Sequence, residues 1–473
     1  MDNDCTWVEE EIKSQDFGDK RLRKRFEQIL SSLASSPQKS IPSSTKGWHE
    51  TLGAYRFMNH HKVTPHKILA PHFEATLERI KTQSVVLIPQ DTTEIDFTGR
   101  KNMSGVGYLS NENGQGFYIH PSIAVTPERC CLGVVDFQLW IREHIGNRDR
   151  KNKPIEEKET YCWLKGYEAA NKIAKAAPNT KVVSVSDREG DIYEVLEKQP
   201  CDDNKAYWLI RCHHNRSVLN KESGAFENKL KESLQSANVA GHIEFEVPAG
   251  HINRNSKARH KRKARTVKQE IRIAQVMLRP PNRKDRDLQP ISVYVVHCKE
   301  INVPEGETAI EWYLLTSHPT HTIDEAITII NWYLCRWQIE VFFKVLKSGC
   351  KVEELQFESL RSSANCLALY MIVAWRVLFL TMMGRVCPDI DCNIVFDECE
   401  WRAVYTVVEK KKPPNKPPTL YTMIIMIAKL GGFLARKSDG YPGPSVMWQG
   451  IQRMRDFTLA WEAFHQVEIN CSD

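Results

Sequence analysis

The chain has 473 residues, 41% of them hydrophobic, with a formal net charge of +6 and a pI near 8.5. That length allows two to four domains with a large core. The charge balance is too mild by itself to argue for a nucleic-acid partner, and no uncharged apolar run approaches the roughly 18 residues of a membrane span.

The opening MDNDCTWVEEEIK is acidic and lacks an apolar stretch, so it does not read as a signal peptide. The 14 Cys are scattered without a CxxC pair, and Cys387, Cys392 and Cys399 form only a loose cluster with no His close by. They read as reduced thiols of a cytoplasmic protein rather than as a zinc site.

Residues 6 to 80 read as mostly helical. In 20–33, Leu22, Phe26, Ile29, Leu30 and Leu33 form an apolar side, with Lys20, Arg21, Arg23, Lys24 and Arg25 around it. Residues 43–59 open with capping residues and continue with Trp48, Leu52, Tyr55 and Phe57. A small basic helical domain suits DNA phosphates, and the same charges suit a solvated face; composition leaves both open.

The period then changes. SVVLIPQ (84–90) is an apolar run ending in Asp91, Thr92 and Thr93; 116–126 and 131–140 also read as strands. A helix over 157–177 precedes the strand KVVSVS (181–186), and Asp187 stands where that strand meets the next helix. This alternation predicts an α/β core. From 207 to 300 the texture is β-rich and carries the basic run KARHKRKARTVK (257–268), which reads as a β insertion with a basic hairpin or loop. IEWYLLTS (310–317) returns to the core. The rest reads as helical. It includes an apolar helix over 366–383 that Arg376 interrupts, a Pro-rich basic linker at 410–418 and two closing amphipathic helices.

The stretch NWYLCRWQIEVFFKVLK (331–347) has no Gly or Pro and predicts one helix. At 100° per residue Tyr333, Arg336, Glu340 and Lys347 fall within roughly 60° on one face, with Ile339, Phe342, Val345 and Leu346 opposite. A carboxylate between cations suits a metal ion that meets a phosphate. An Arg336–Glu340 surface pair at i, i+4 spacing fits the same residues.

Asp91 and Asp187 each could be an ordinary turn or capping residue. With Glu340 they fit one mechanism: three carboxylates holding two divalent metals roughly 3.5–4 Å apart, one activating a water or 3′-hydroxyl and the other steadying the leaving oxygen. Glu94, Asp96, Glu189 and Asp191 are expected to cap or to face solvent.

Tyr333, Arg336, Glu340 and Lys347 also spell the YREK signature. FGDKR and GAYRFM lie near the start, QDTT around Asp91, SDREGDIY around Asp187, WYLLTS around Trp312 and IAKLGGF near the end. In these motifs and their order the chain resembles the IS-four family of bacterial cut-and-paste DDE transposases over nearly its whole length.

The resemblance implies an RNase H-like core with Asp91, Asp187 and Glu340 as the catalytic, metal-binding triad for two Mg²⁺ or Mn²⁺ ions. It implies a helical DNA-binding domain (1–75), a catalytic core (76–365) with its β insertion at 205–305, and a helical dimerisation region (366–473). Tyr333, Arg336, Lys344 and Lys347 would contact end-DNA phosphates, Arg211 would contact DNA, and Trp312 would stack on a flipped base. Arg21, Arg23 and Lys24 and the loop residues Lys261, Arg262 and Lys263 are further expected DNA contacts, from their charge. Val341 and Phe343 depart from the Glu and His of the family pattern.

The implied function is metal-dependent cleavage of transposon inverted ends through a hairpin intermediate. The 3′-OH ends then join target DNA, with a homodimer pairing two ends on double-stranded DNA, in the cytoplasm at the nucleoid and with no membrane. A nuclease that cuts without joining, and a non-catalytic DNA-binding regulator derived from a transposase, are the competing readings. The helical C-terminal region speaks against the first and the intact acids against the second.

Overall fold

A computed structural model describes residues 6–100, 103–111, 113–143, 153–198, 205–220, 222–247, 250–251, 261–283 and 287–470. Helices α1 (Thr6–Glu11), α2 (Lys20–Ser35), α3 (Ile41–Ser44), α4 (Trp48–Asn59) and α5 (Pro65–Lys81) come first. Strands β1 (Val85–Pro89), β2 (Thr93–Asp96), β3 (Gly107–Tyr108), β4 (Gln115–Val125) and β5 (Cys131–Trp140) follow. Next are α6 (Tyr161–Ala176), β6 (Lys181–Ser186), α7 (Tyr193–Leu196), β7 (Tyr207–Arg211), β8 (Ser217–Val218), β9 (Asn228–Lys229) and α8 (Leu230–Gln235). Strands β10 (Gly241–Val247), β11 (Gly250–His251), β12 (Lys261–Arg262), β13 (Arg265–Leu278), β14 (Ile291–Ile301) and β15 (Glu311–Thr316) precede α9 (Ile323–Leu334) and α10 (Trp337–Lys344). The chain closes with α11 (Leu360–Val386), α12 (Glu398–Glu409), α13 (Leu420–Leu430) and α14 (Pro444–Asn470).

The chain divides into two compact units. Unit one comprises Met1–Val86, Thr92–Asn147 and Trp337–Asp473; unit two comprises Leu87–Asp91 and Arg148–Arg336.

Unit one has α11 at its centre, packed against α2, α4, α5, β5 and α13. Ser359 caps this helix by accepting the Ser362 N–H. It is long and apolar enough to cross a membrane by length and composition, yet 83% of that window is buried inside the protein. Arg376 sits within it by donating to Val395 O at 3.0 Å and lying over the Trp7 ring. The α2 stripe predicted from spacing, Phe26, Ile29, Leu30 and Leu33, is buried in the same hydrophobic core as Met423, Ile424 and Ile427 of α13. Burying such faces is what makes these helices stable. In the sheet of this unit β4 pairs antiparallel with β2, β3 and β5.

The helix expected over 43–59 is two helices. Ser40, not Ser43, starts α3, and α4 begins after Gly47. Trp48 opens α4 with 74% of its surface exposed.

In unit two β6 and β7 are parallel, with Val183 opposite Tyr207 and Ser186 opposite Ile210. β7 is therefore a strand of the α/β sheet itself. β15 runs antiparallel to β7, β14 to β15 and β13 to β14, with β8 and β10 on β13.

The single helix expected over 331–347 is broken. The Cys335 and Arg336 N–H groups reach back three residues, to Trp332 O (3.1 Å) and Tyr333 O (3.0 Å), and the turn tightens instead of continuing. After α10 the backbone widens into a π-helical turn, Val345–Gly349, where Cys350 N–H bonds Val345 O. Tyr333 and Arg336 thus end unit two, whereas Glu340 and Lys347 belong to unit one. Tyr333 therefore lies in α9, Arg336 at the break, Glu340 in α10 and Lys347 in the π-helical turn.

Candidate active site

In unit two the two aspartates sit just past neighbouring strand ends. Gln90 N–H bonds Val185 O at 3.1 Å, and Gln90 Nε2 donates to Ser184 Oγ at 3.0 Å. These bonds fix the backbone before Asp91 to β6. Asp187 follows Ser186 and accepts the Glu189 N–H at 2.8 Å, capping a 3₁₀ turn, Arg188–Gly190. The capping role is real, and Asp187 remains half-exposed. Gly190 allows the turn to close: a Cβ there would lie 2.3 Å from Ser186 Oγ and 3.1 Å from the Trp163 ring.

Arg336 Nη1 reaches Asp91 Oδ2 at 3.0 Å, with the two side chains 13% and 14% exposed. Tyr333 is 6% exposed. Burial pushes its phenol pKa up; Arg336 and Arg211 pull it down, Asp187 pushes it up further, and Arg211 shares a hydrogen bond with it. The Trp312 ring lies 6.0 Å from that of Tyr333 at 59°, and Trp312 is half-buried. The structure therefore gathers Asp91, Asp187, Arg211, Trp312, Tyr333 and Arg336 into one cluster of acids, guanidinium groups and aromatic faces.

The neighbouring acids differ from expectation in one case. Asp191 does not face solvent: it is 1% exposed and accepts His213 N–H (2.7 Å), His214 N–H (2.9 Å) and Arg216 Nη1 (2.5 Å). It ties the loop after Asp187 to the loop after Arg211. Glu189 is exposed as a residue, yet partial desolvation of its carboxyl, followed by the Asp187 charge, raises its pKa.

In unit one Glu340 stands in the first turn of α10, half-exposed, and Lys344 ends that helix in solvent. Lys347 pairs with Glu353 at 3.2 Å. Glu94 accepts from Ser110 N–H (2.7 Å) and Tyr118 OH (3.0 Å). Burial would raise its carboxyl pKa, but the bonds from Ser110 and Tyr118 and the nearby Lys347 charge outweigh it and hold it low.

On α2, Arg21 pairs with Asp19 at 3.3 Å and is 92% exposed. Arg23 donates to Lys13 O at 3.3 Å, and Lys24 is exposed. In the basic run, residues 257–260 and the side chains of Lys261 and Arg262 lie outside the described residues; Lys263 is exposed. Arg265, in the same run, is structural: it pairs with Glu300 and Glu307, each at 2.9 Å.

Asp91 and Asp187 offer hard oxygen donors, the chemistry that suits Mg²⁺ or Mn²⁺. Among the described residues no group of three His, Cys, Asp or Glu is arranged to hold a metal ion.

Comparison with known proteins gives three family matches: transposase DNA-binding over residues 4–63, transposase DDE domain over 191–375, and transposase Tn5 dimerisation domain over 372–463. The chain belongs to the DDE transposases of the Tn5 type. Membership of the IS-four family is consistent with these matches. The DDE match includes Glu340 and begins after Asp91 and Asp187. A mixed α/β core with helical regions at both ends fits an RNase H-like transposase architecture. Among solved structures the chain is similar to the piggyBac transposase in a synaptic complex with hairpin DNA, at 10% identity and a TM-score of 0.33, covering 88% of this chain and 83% of that one. A likeness at that score supports no conclusion about this chain.

Proposed function

We propose that the protein is an active cut-and-paste transposase that cleaves transposon ends and joins them to target DNA, with Asp91, Asp187 and Glu340 as its catalytic acids. The observation that carries this reading is the pair of strand-end carboxylates in unit two, set among Arg211, Tyr333 and Arg336. Mg²⁺ or Mn²⁺, two ions per site, would supply the activation of the attacking oxygen and the stabilisation of the leaving one. Asp91, Asp187 and Glu340 would hold those ions through carboxylate oxygens.

The remaining residues bind and orient. Arg211, Arg336, Lys344 and Lys347 grip backbone phosphates of the transposon end, Arg best through its planar fork. Tyr333, packed beside Arg211, fixes the direction of that guanidinium. Trp312 offers an aromatic face to a base turned out of the stack when the end closes into a hairpin. Arg21, Arg23 and Lys24 on α2 and the loop of Lys261, Arg262 and Lys263 add phosphate contacts. The region of α13 and α14 pairs two molecules across two ends.

The test is a Mg²⁺-dependent cleavage assay on duplexes bearing the inverted repeats that flank the gene. Glu340→Ala is expected to stop cleavage while a gel shift shows the end DNA still bound. Normal cleavage by that variant sinks the reading.

A further inference from the structure

We propose that Arg336 acts as a stand-in cation: without DNA its guanidinium occupies Asp91 and opposes metal loading there until a DNA phosphate draws it away. This rests on the reading of Asp91 as a metal ligand. It adds that metal occupancy and DNA engagement are coupled through one side chain.

The contact is direct, Arg336 Nη1 to Asp91 Oδ2 at 3.0 Å, and both side chains are mostly shielded from water. Neither end drifts freely. Asp91 follows the Gln90 bonds to β6, and the Arg336 N–H is tied to Tyr333 O at the close of α9. A divalent ion on the Asp91 carboxylate would lie a few ångströms from the guanidinium, and two such cations repel strongly where water is partly excluded. A carboxylate also loses much of its pull on a metal when its charge is already met by a guanidinium. The Tyr333 phenol lies within the fields of Arg211, Arg336 and Asp187, so a second guanidinium borders the same cluster.

An incoming phosphate changes the balance. It offers Arg336 a bidentate, charge-assisted partner and weakens the pairing of its guanidinium with Asp91. The carboxylate then favours a metal ion. By linkage, DNA that engages Arg336 tightens the metal, and the metal tightens that DNA by the same factor. The protein would hold little metal at Asp91 until the phosphate of a DNA end is seated, which limits cutting of DNA that is merely nearby.

The experiment measures Mn²⁺ binding to the full chain without DNA, by electron paramagnetic resonance of the free ion. Arg336→Gln is expected to bind Mn²⁺ about tenfold more tightly than wild type, from relief of cation repulsion at a partly screened site. Adding Asp91→Asn should remove the gain. Equal or weaker affinity in Arg336→Gln overturns the proposal, and so does a gain that survives Asp91→Asn. Should Arg336→Gln fail to fold, Arg336→Lys replaces the planar fork with a single ammonium. It is expected to give a smaller gain, and no gain overturns the proposal. Nicking of an end-bearing duplex by the wild type is scored separately. Nicking without the Mn²⁺ gain sinks this coupling alone, whereas no nicking and no Mn²⁺ binding by any variant sinks the metal-dependent reading beneath it.

Discussion

Two clusters in this protein are built from the same kinds of side chain and behave differently. In unit one Glu11 is 3% exposed and meets His72 Nδ1, Arg79 Nη1 (2.9 Å) and Arg79 Nη2 (3.0 Å). His72 Nε2 accepts the Val134 N–H at 2.9 Å, so Nδ1 carries the proton that Glu11 accepts. Arg79 also donates to Leu132 O and lies over the Trp375 ring at 4.3 Å. That cluster is sealed and closely bonded. In unit two Asp91 and Arg336 pair at the half-open ends of strands, with Asp187, Arg211 and Tyr333 close by. The contrast teaches that a carboxylate facing an arginine is not in itself a sign of either structure or chemistry. What separates the two is whether the partners are locked on every side or held so that a ligand can replace one of them.

The largest effect should come from the open cluster and should spare stability. Asp187→Asn is expected to reduce Mg²⁺-dependent end cleavage by roughly 10³-fold, the scale at which loss of a preorganised charge is felt in a transition state. Its thermal midpoint should stay close to wild type. A large fall in midpoint with cleavage per folded molecule unchanged would place Asp187 with the sealed cluster.

The reverse pattern is expected of Glu11. Glu11→Gln should cost roughly 3–5 kcal/mol of stability in denaturant unfolding, because Arg79 is left with an uncompensated charge. Burial works against ionisation of Glu11, but His72 and Arg79 outweigh it and hold its pKa at about 2, against an ordinary 4.5. A depressed carboxylate stabilises the fold above its unfolded pKa and loses that contribution as pH falls through the folded one. Unfolding measured from pH 5 down to 2 should therefore show wild-type stability falling across that window, and the Gln variant should lack this part of the fall. Burial also lowers the His72 pKa from 6.5. A histidine kept neutral in the fold gives up stability as pH drops below its unfolded value, so its contribution has the same sign.

Trp312→Ala tests the aromatic side of the open cluster. Stacking of a displaced base is worth about 1–3 kcal/mol. Hairpin formation should slow by that amount while the first nick is spared, in a time course at matched folded fraction. Equal loss at both steps would mean the indole only packs against Tyr333.

The smallest effect sets the two clusters most directly side by side. Arg336→Gln should lower unfolding free energy by less than Glu11→Gln does, because its pair is 13% and 14% exposed whereas Glu11 is 3% exposed. A loss as large as that of Glu11→Gln would erase the distinction.

Much of the open cluster is legible in the sequence. The apolar runs SVVLIPQ and KVVSVS stop abruptly, so Asp91 and Asp187 had to stand at strand ends, and β1 and β6 agree. The alternation around 181–196 gives the α/β character. The break at 335–336 is not legible, because no Gly or Pro marks it. It comes from N–H groups that turn back three residues. Nor is the role of Asp191, whose arginine partner lies 25 residues further along, or of Arg265, which reads as one more charge in a basic run until Glu300, 35 residues on, is placed against it. Local patterns expose periodicity and strand ends; they do not reveal which distant charge comes to meet a given one.

Gly190 bears on how the protein would look in a mutational scan. Any side chain there collides with Ser186, the residue before Asp187, and with Trp163. Substitutions at this position would score as inactive alongside those at Asp187, though glycine has no side chain that could bind a metal or move a proton. A map of loss of function would thus draw the active site larger than its chemistry. Only a paired readout of abundance and cleavage would separate the acid from the hydrogen atom that gives it room.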